Sequence, residues 1–236
     1  MNTENWIQKE LARLRAGNLE RKLHTYPQAG GKIRIGNRSF LNLSSNDYLG
    51  LAGSSAVKKG AQKALDEWGI GATASRLITG SLTCHDTLEK RLASYKQYSA
   101  AIVFGSGYMT NIGAIPAVVG RNDVVVADRL IHASIIDGIM LSHARLHRFQ
   151  HNDVTQLDDI LKKRTGQGRC LVITESVFSM DGDIAPLKDI APVTSKYDAM
   201  LMVDEAHATG VFGPKGAGLV RKWKLEKDVN LCMGTL

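Results

Sequence analysis

The chain has 236 residues, 44% hydrophobic and 22% charged, which supplies a substantial core and excludes the disordered, collagenous and low-complexity classes. Thirty Lys and Arg against 23 Asp and Glu give a formal charge of +7, an excess that favours anionic ligands without requiring nucleic acid. Cys84, Cys170 and Cys232 are widely spaced with no CxxC, which argues against a disulfide framework or a structural zinc and for a reducing, cytoplasmic setting.

Residues 1–24 read as an amphipathic helix with Ile7, Leu11 and Leu14 at helical spacing, and the acids among its Lys and Arg are unlike a signal or transit peptide. No stretch reaches 18 uncharged apolar residues, so no membrane span is expected. Tyr26-Pro27-Gln28-Ala29-Gly30-Gly31 is a breaker, and Ile33 to Leu43 carries short β-type runs around the turn Gly36-Asn37. These observations predict an arm and short β segment over 1–43 and a major domain over 44–236.

From about residue 85 strands and helices alternate. Asp86-x-x-Glu89 reads as a capping box opening a helix with Leu88, Leu92 and Tyr95 on one face, and Ala100 to Phe104 as a buried strand. Helices are predicted near 108–119, 132–142, 154–163 (opened by Asp153-x-x-Gln156) and 186–197, with strands at Val124–Ala127, near 145–149, at Cys170–Thr174, at Met200–Val203 and near 229–233. This order predicts an α/β fold with a mostly parallel sheet covered on both faces. Ligands in such sheets bind outside the carboxyl ends of the strands, and each strand here is followed by polar or glycine residues: Gly105-Ser106-Gly107, Asp128, Glu175, Asp204-Glu205-Ala206-His207 and Gly234-Thr235. One converging site is expected to use all five.

Phe104-Gly105-Ser106-Gly107-Tyr108 lies at a strand-to-helix junction, where free N–H groups favour a phosphate, although a plain tight turn has the same composition. Gly69-x-Gly71-x-x-Ala74 follows Glu67-Trp68 rather than a strand, which argues against a dinucleotide site. Val203-Asp204-Glu205-Ala206-His207 resembles the second nucleotide motif of DEAH-box helicases, but Gly30-Gly31-Lys32-Ile33 is not the phosphate loop such an enzyme needs. The same residues also suit an Asp paired with a protonated ring nitrogen and a His bonding another group of that ligand, as for a pyridinium cofactor. His143, His147 and His151 are spaced as a helical metal face, but Arg145 to Phe149 reads better as a strand whose arginines repel a cation, so no metal is expected. His132 is at this stage equally a helix-start hydrogen-bonder or a catalytic group.

Several segments together resemble one family, the α-oxoamine synthases, which are fold-type I pyridoxal 5′-phosphate (PLP) enzymes. They are Ser44-Ser45-Asn46-Asp47-Tyr48-Leu49-Gly50-Leu51, Gly69 to Gly80, Ser106-Gly107-Tyr108-Met109-Thr110-Asn111, Asp128 to Ser134, Val177 to Asp183, Val203 to Gly210 and Met233-Gly234-Thr235-Leu236. The resemblance implies the large domain of an aspartate-aminotransferase-like fold, without the C-terminal small domain. It implies Gly107 and Tyr108 beside the cofactor phosphate, His132 stacked on its ring and also facing substrate, and Asp204 on the pyridine N–H. It further implies Ser179 and His207 as cofactor contacts, Thr235 as a phosphate ligand, and Arg21 and Asn46 as substrate contacts. His132, Asp204 and His207 are the expected catalytic set. The implied reaction is a decarboxylative condensation of L-alanine with a pimeloyl thioester in a homodimer, with glycine and acetyl-CoA as the alternative pair. The family's Schiff-base lysine is expected three residues after the threonine matched by Thr235, beyond Leu236; the chain therefore reads as part of a longer enzyme and is expected to be inactive alone. A catalytically inactive PLP-fold binding protein is the reading of another class.

Overall fold

A computed structural model describes residues 3–26, 31–164 and 168–236. The chain divides into two compact units, Met1–Lys63 and Ala64–Leu236. The boundary expected at 43/44 lies inside the first.

In the first unit, helix α1 spans Thr3–Ala16 rather than 1–24. It stops because Asn18 adopts φ +54° and the chain turns back, Asn18 N–H donating to Arg15 O at 3.1 Å and Leu19 N–H to Leu14 O at 2.8 Å. These bonds satisfy the last carbonyls in the manner of a Schellman stop. The breaker predicted over 26–31 lies largely outside the described residues. The predicted turn is present: β1 (Lys32–Ile35) and β2 (Arg38–Leu41) pair antiparallel around Gly36-Asn37, with Gly36 at φ +58°. Helix α2 (Ser55–Trp68) was not predicted; its one start signal is Ser54, whose hydroxyl faces Val57 N–H at 3.5 Å.

The second unit carries the predicted alternation. After α3 (Thr83–Lys96) and α4 (Gly107–Val118) come β3 (Val124–Asp128), α5 (Ala133–Ser142), β4 (Arg145–Phe149), α6 (Val154–Lys162), β5 (Cys170–Glu175), α7 (Leu187–Lys196), β6 (Met200–Asp204), α8 (Leu219–Trp223) and β7 (Leu231–Met233). The five strands β3 to β7 form one parallel sheet in the order β4-β3-β5-β6-β7. Alternate strand residues face opposite layers. Val126, Val172, Leu201 and Val203 pack with Leu157 and Leu161 of α6, Leu187 and Ile190 of α7, and Leu219 and Val220 of α8. Val125, Ala127, Leu171, Ile173 and Met202 pack with Ile115 of α4 and with Ile135 and Ile139 of α5 on the other side. The chain winds outward from β3 to β4, then returns to place β5 on the opposite side of β3. The crevice beyond the ends of β3 and β5 is thus the switch point at which such sheets bind ligands.

Two expectations need correction. Helix α3 begins at Thr83, ahead of Asp86, because the His85 ring caps it: Nδ1 accepts the Leu82 N–H at 3.0 Å. Asp86 instead pairs with Lys90 one turn on, and Glu89 is drawn away to Arg76. Ala100–Phe104 is not a strand; it is a run without regular secondary structure outside the ladder, with Ile102 72% exposed. It is held by Glu89, which accepts Val103 N–H at 2.8 Å and the Arg76 guanidinium at 2.6 and 3.0 Å, while that guanidinium also donates to Val103 O. The run lines a cavity of about 700 Å³ against β7.

Candidate active site

Hydrophobic strands run to their C-terminal ends and there switch to polar residues, so the sheet edge collects chemistry. Asp204 ends β6 and is buried, 4% exposed. Ala206 N–H donates to its Oδ1 at 2.9 Å and Asn111 Nδ2, from α4, to its Oδ2 at 3.2 Å. Burial pushes this carboxyl above the usual range, and those two donors with the nearby imidazoles of His132 and His207 hold it down only in part. Among the described residues no lysine or arginine is paired with it. A buried carboxylate so placed is stabilised by a cationic N–H partner.

Asn111 extends the network. Its Nδ2 also donates to Ser134 Oγ at 2.9 Å, and that hydroxyl lies 2.7 Å from His132 Nδ1. The Ser134 backbone N–H, which can only donate, points at the same nitrogen at 3.2 Å. His132 Nδ1 is therefore an acceptor, and the proton of the neutral ring sits on Nε2. This histidine caps α5, its backbone N–H donates to Glu175 Oε1 at 2.5 Å, and its ring is exposed. Glu175, at the end of β5, is pushed up to about 7 by burial and by the nearby Asp204 charge, against the lowering pull of the His132 and Ser179 N–H groups. Helix α5 comes this close to α4 because position 138 is glycine: a Cβ there would lie 2.6 Å from Asn111 O.

The third component is the start of α4. Ser106 caps it, accepting Met109 N–H at 3.2 Å. The N–H groups of Gly107 and Tyr108 have no carbonyl one turn back, and the helix dipole adds partial positive charge, so this end suits an anion. Thr235, beyond β7, packs against it closely enough that a Cβ on Gly107 would lie 2.7 Å from Thr235 Cγ2. The Tyr108 side chain turns to Asp137, donating at 2.8 Å.

The structure thus brings together Gly107, Tyr108 and Thr235 on one side, and His132, Asp204 and His207, with Ser179 through its N–H to Glu175, on the other. Arg21 and Asn46 belong to the first unit and stay expectations. Two strand-end carboxylates, Asp128 and Glu205, serve structure instead. Asp128 accepts Leu130 N–H and Asn152 N–H, and Glu205 pairs with Lys96 at 2.8 Å while accepting Val220 N–H at 2.9 Å. A glutamate so engaged cannot activate water, which counts against the DEAH-type reading. Asn111 and Ser134 carry the relay and were singled out only as members of motifs; the available signal was a lone amide in the apolar helix 107–118. The large cavity borders the site through Gly105–Gly107 and Met233–Thr235, but neither Asp204 nor His132 lines it.

A planar ligand with a cationic ring nitrogen and a phosphate fits these residues. Asp204 answers the nitrogen, the start of α4 answers the phosphate, and the Oδ1 of Asn111 and Oγ of Ser176 are buried without a partner among the described residues. Residues 38–236 match the family profile described as aminotransferase class I and II. An 8-amino-7-oxononanoate synthase of Geobacter sulfurreducens is 47% identical over 231 residues, covering 98% of this chain and 59% of that protein. A serine palmitoyltransferase variant from S. paucimobilis, solved with a bound PLP–myriocin adduct, superposes with a TM-score of 0.87 at 33% identity, over 97% of this chain and 58% of that one. An 8-amino-7-oxononanoate synthase from Francisella tularensis superposes with a TM-score of 0.64 at 31% identity, over 80% and 50% of the two chains. The chain spans about 59% of the length of the curated relatives it matches.

Proposed function

The chain belongs to the aminotransferase class I and II family, and from that premise we propose that it is the cofactor-binding part of an 8-amino-7-oxononanoate synthase that uses pyridoxal 5′-phosphate. The reaction is the condensation of L-alanine with a pimeloyl thioester, releasing CO2 and the free thiol, in biotin biosynthesis. The observation that carries the reading is Asp204, a buried strand-end carboxylate with no lysine or arginine paired to it among the described residues, linked to His132 through Asn111 and Ser134 and close enough to His132 and His207 to interact electrostatically with both. The identity of 42–48% to curated relatives named 8-amino-7-oxononanoate synthase supports this substrate pair over others in the family.

PLP, when bound, supplies an electron sink for negative charge developing at the amino acid Cα. This chain's residues supply the setting. Asp204 accepts the ring N–H and keeps that nitrogen protonated, and its burial strengthens the interaction. Asn111 holds Asp204 and, through Ser134, orients the His132 ring, which would contact the cofactor and whose Nε2–H points to neither Ser134 nor the backbone. Gly107 and Tyr108 N–H groups and the Thr235 hydroxyl hold the phosphate. His207 and Ser179 complete the cofactor contacts, Arg21 and Asn46 contact substrate, and the working protein is a homodimer.

The test is PLP titration by absorbance and turnover of the complete protein. Asp204→Asn, nearly the same in shape, is expected to weaken PLP binding and reduce turnover by at least about a hundredfold. L-alanine with pimeloyl-CoA is expected to release CoA. Undiminished PLP binding in Asp204→Asn would refute the cofactor assignment; faster turnover of glycine with acetyl-CoA would refute the substrate assignment.

A further inference from the structure

A second cluster behind the site joins the ends of β3, β4 and β5 and takes no part in the chemistry above. Its centre is His151, just after β4. Nδ1 of His151 lies 3.1 Å from Asp128 Oδ1, and Nε2 lies 2.8 Å from Asp183 Oδ2. Asp128 is fully buried at the end of β3, whereas Asp183 belongs to the 176–185 turn that follows β5. Asn152, held at φ +58°, reinforces both links: its N–H donates to Asp128 Oδ2 at 2.8 Å and its Nδ2 to Asp183 Oδ2 at 2.7 Å. The turn closes on itself through Phe178 N–H to Asp183 O, Gly182 N–H to Phe178 O and a bridge between Val177 and Ile184. The Phe178 ring stands edge-on to the imidazole, 4.4 Å between centroids.

A neutral imidazole has one N–H and one lone pair. Between two carboxylates it satisfies one and sets its lone pair against an oxygen of the other. Asn152 Nδ2 also lies 3.2 Å from Nε2, but its shorter bond goes to Asp183, so the conflict stays. Only the imidazolium, a donor at both nitrogens, fits both distances. The turn held in this way contains Ser179 and begins beside Glu175, which accepts the Ser179 N–H.

We propose that His151 is a positioning residue whose imidazolium straps the 176–185 turn to the end of β3, holding Ser179 and Glu175 in register with the cofactor site, and that losing one ring proton loosens the strap. The strap is a property of the protein without cofactor; only the role of Ser179 toward PLP rests on the functional reading above.

The electrostatics agree with the geometry. Burial pushes His151 down, but the hydrogen bonds and charges of Asp128 and Asp183 outweigh it and hold the ring above the ordinary histidine value. The other charged groups nearby are engaged elsewhere: Arg129 with Gln150, Arg148 with the Arg129 carbonyl, Asp153 with Gln156 N–H, and Glu175 with His132; Asp181 is exposed. Because the native value is raised, the contribution is complete below the ordinary histidine value and is lost as pH rises through the native one.

Hydrogen–deuterium exchange of the complete protein, without added PLP and corrected for intrinsic rates, reads the strap as amide protection over 176–185, while exchange at the histidine C2 position reads the titration of His151. Protection of the turn is expected to fall about tenfold as His151 deprotonates, with residues 170–174 unchanged. His151→Gln, which cannot donate at both ends, is expected to show the low protection at every pH. Turn protection that ignores the His151 titration, or a His151→Gln protein protected like the wild type, would overturn the proposal; the wild-type pH series alone decides should the variant not fold. In a separate arm, PLP affinity is expected to decline over the window of the His151 titration in the wild type, and His151→Gln is expected to lose that component of the decline. A strap that passes the exchange test while PLP fails to bind overturns the cofactor reading and leaves the strap standing.

Discussion

Gly138→Ala perturbs the contact on which the Asp204–Asn111–Ser134–His132 relay depends. The added Cβ would lie 2.6 Å from Asn111 O and 3.0 Å from Ile115 Cδ1, where ordinary contact begins at 3.4 Å. The nearest atom is helix backbone, which cannot swing aside, so α5 must back away from α4 by about 0.8 Å. A shift of that size takes the Asn111–Ser134 bond, now 2.9 Å, out of hydrogen-bonding range. Overpacking of this kind costs about 1–3 kcal/mol, and the better helix propensity of alanine returns up to about 1 kcal/mol. The net loss is about 1 kcal/mol, or a fall in Tm of about 2–4 °C for a chain of this size. Gly60→Ala is the control, because Gly60 lies inside α2 with nothing within 4 Å of the added methyl, and it is expected to stabilise by about 0.5–1 kcal/mol. Thermal unfolding followed by circular dichroism separates the two. If both substitutions stabilise equally, α4 and α5 are not packed as described and the reasoning fails.

Glu175 has its native pKa raised to about 7, so without cofactor the native state holds this proton more tightly than the unfolded chain and stability falls as pH rises from about 4.5 to 7. In Glu175→Gln that slope should be shallower by roughly 3 kcal/mol over the interval, read from urea unfolding at several pH values; an unchanged slope argues against the burial of Glu175. Lys96→Met leaves Glu205, which is fully buried, without its cation and is expected to cost about 3–5 kcal/mol. The double variant Lys96→Met/Glu205→Gln keeps an acceptor for Val220 N–H and should recover part of that loss; a single variant as stable as the wild type shows that the pair is not buried.

Much of the architecture is written in local pattern. The runs Val124–Asp128, Cys170–Glu175 and Met200–Asp204 are apolar on both faces and too short for helices, so alternation with amphipathic segments suffices to announce a covered parallel sheet. Motif residues such as Asp204, His132 and Gly107 are legible for the same reason: they sit where a strand ends or a helix begins, and the neighbouring sequence marks those points. Capping choices are less legible, because Asp86-x-x-Glu89 satisfies the pattern of a helix start while His85 performs the capping and Glu89 leaves for Arg76, a partner thirteen residues back.

Tertiary structure alone decided the strand order and with it the switch point between β3 and β5. It also decided which strand-end carboxylates face the site. Asp128, Glu175, Asp204 and Glu205 are equivalent by position in sequence, yet two are consumed by His151, Asn152, Lys96 and Val220 while Asp204 has no lysine or arginine paired with it among the described residues. The physical reason is that a buried carboxylate is defined by the donors that reach it, and these come from elements tens of residues away. Periodicity and caps act over a turn or two of chain; the partition of buried charge between structure and chemistry is settled only when the layers close.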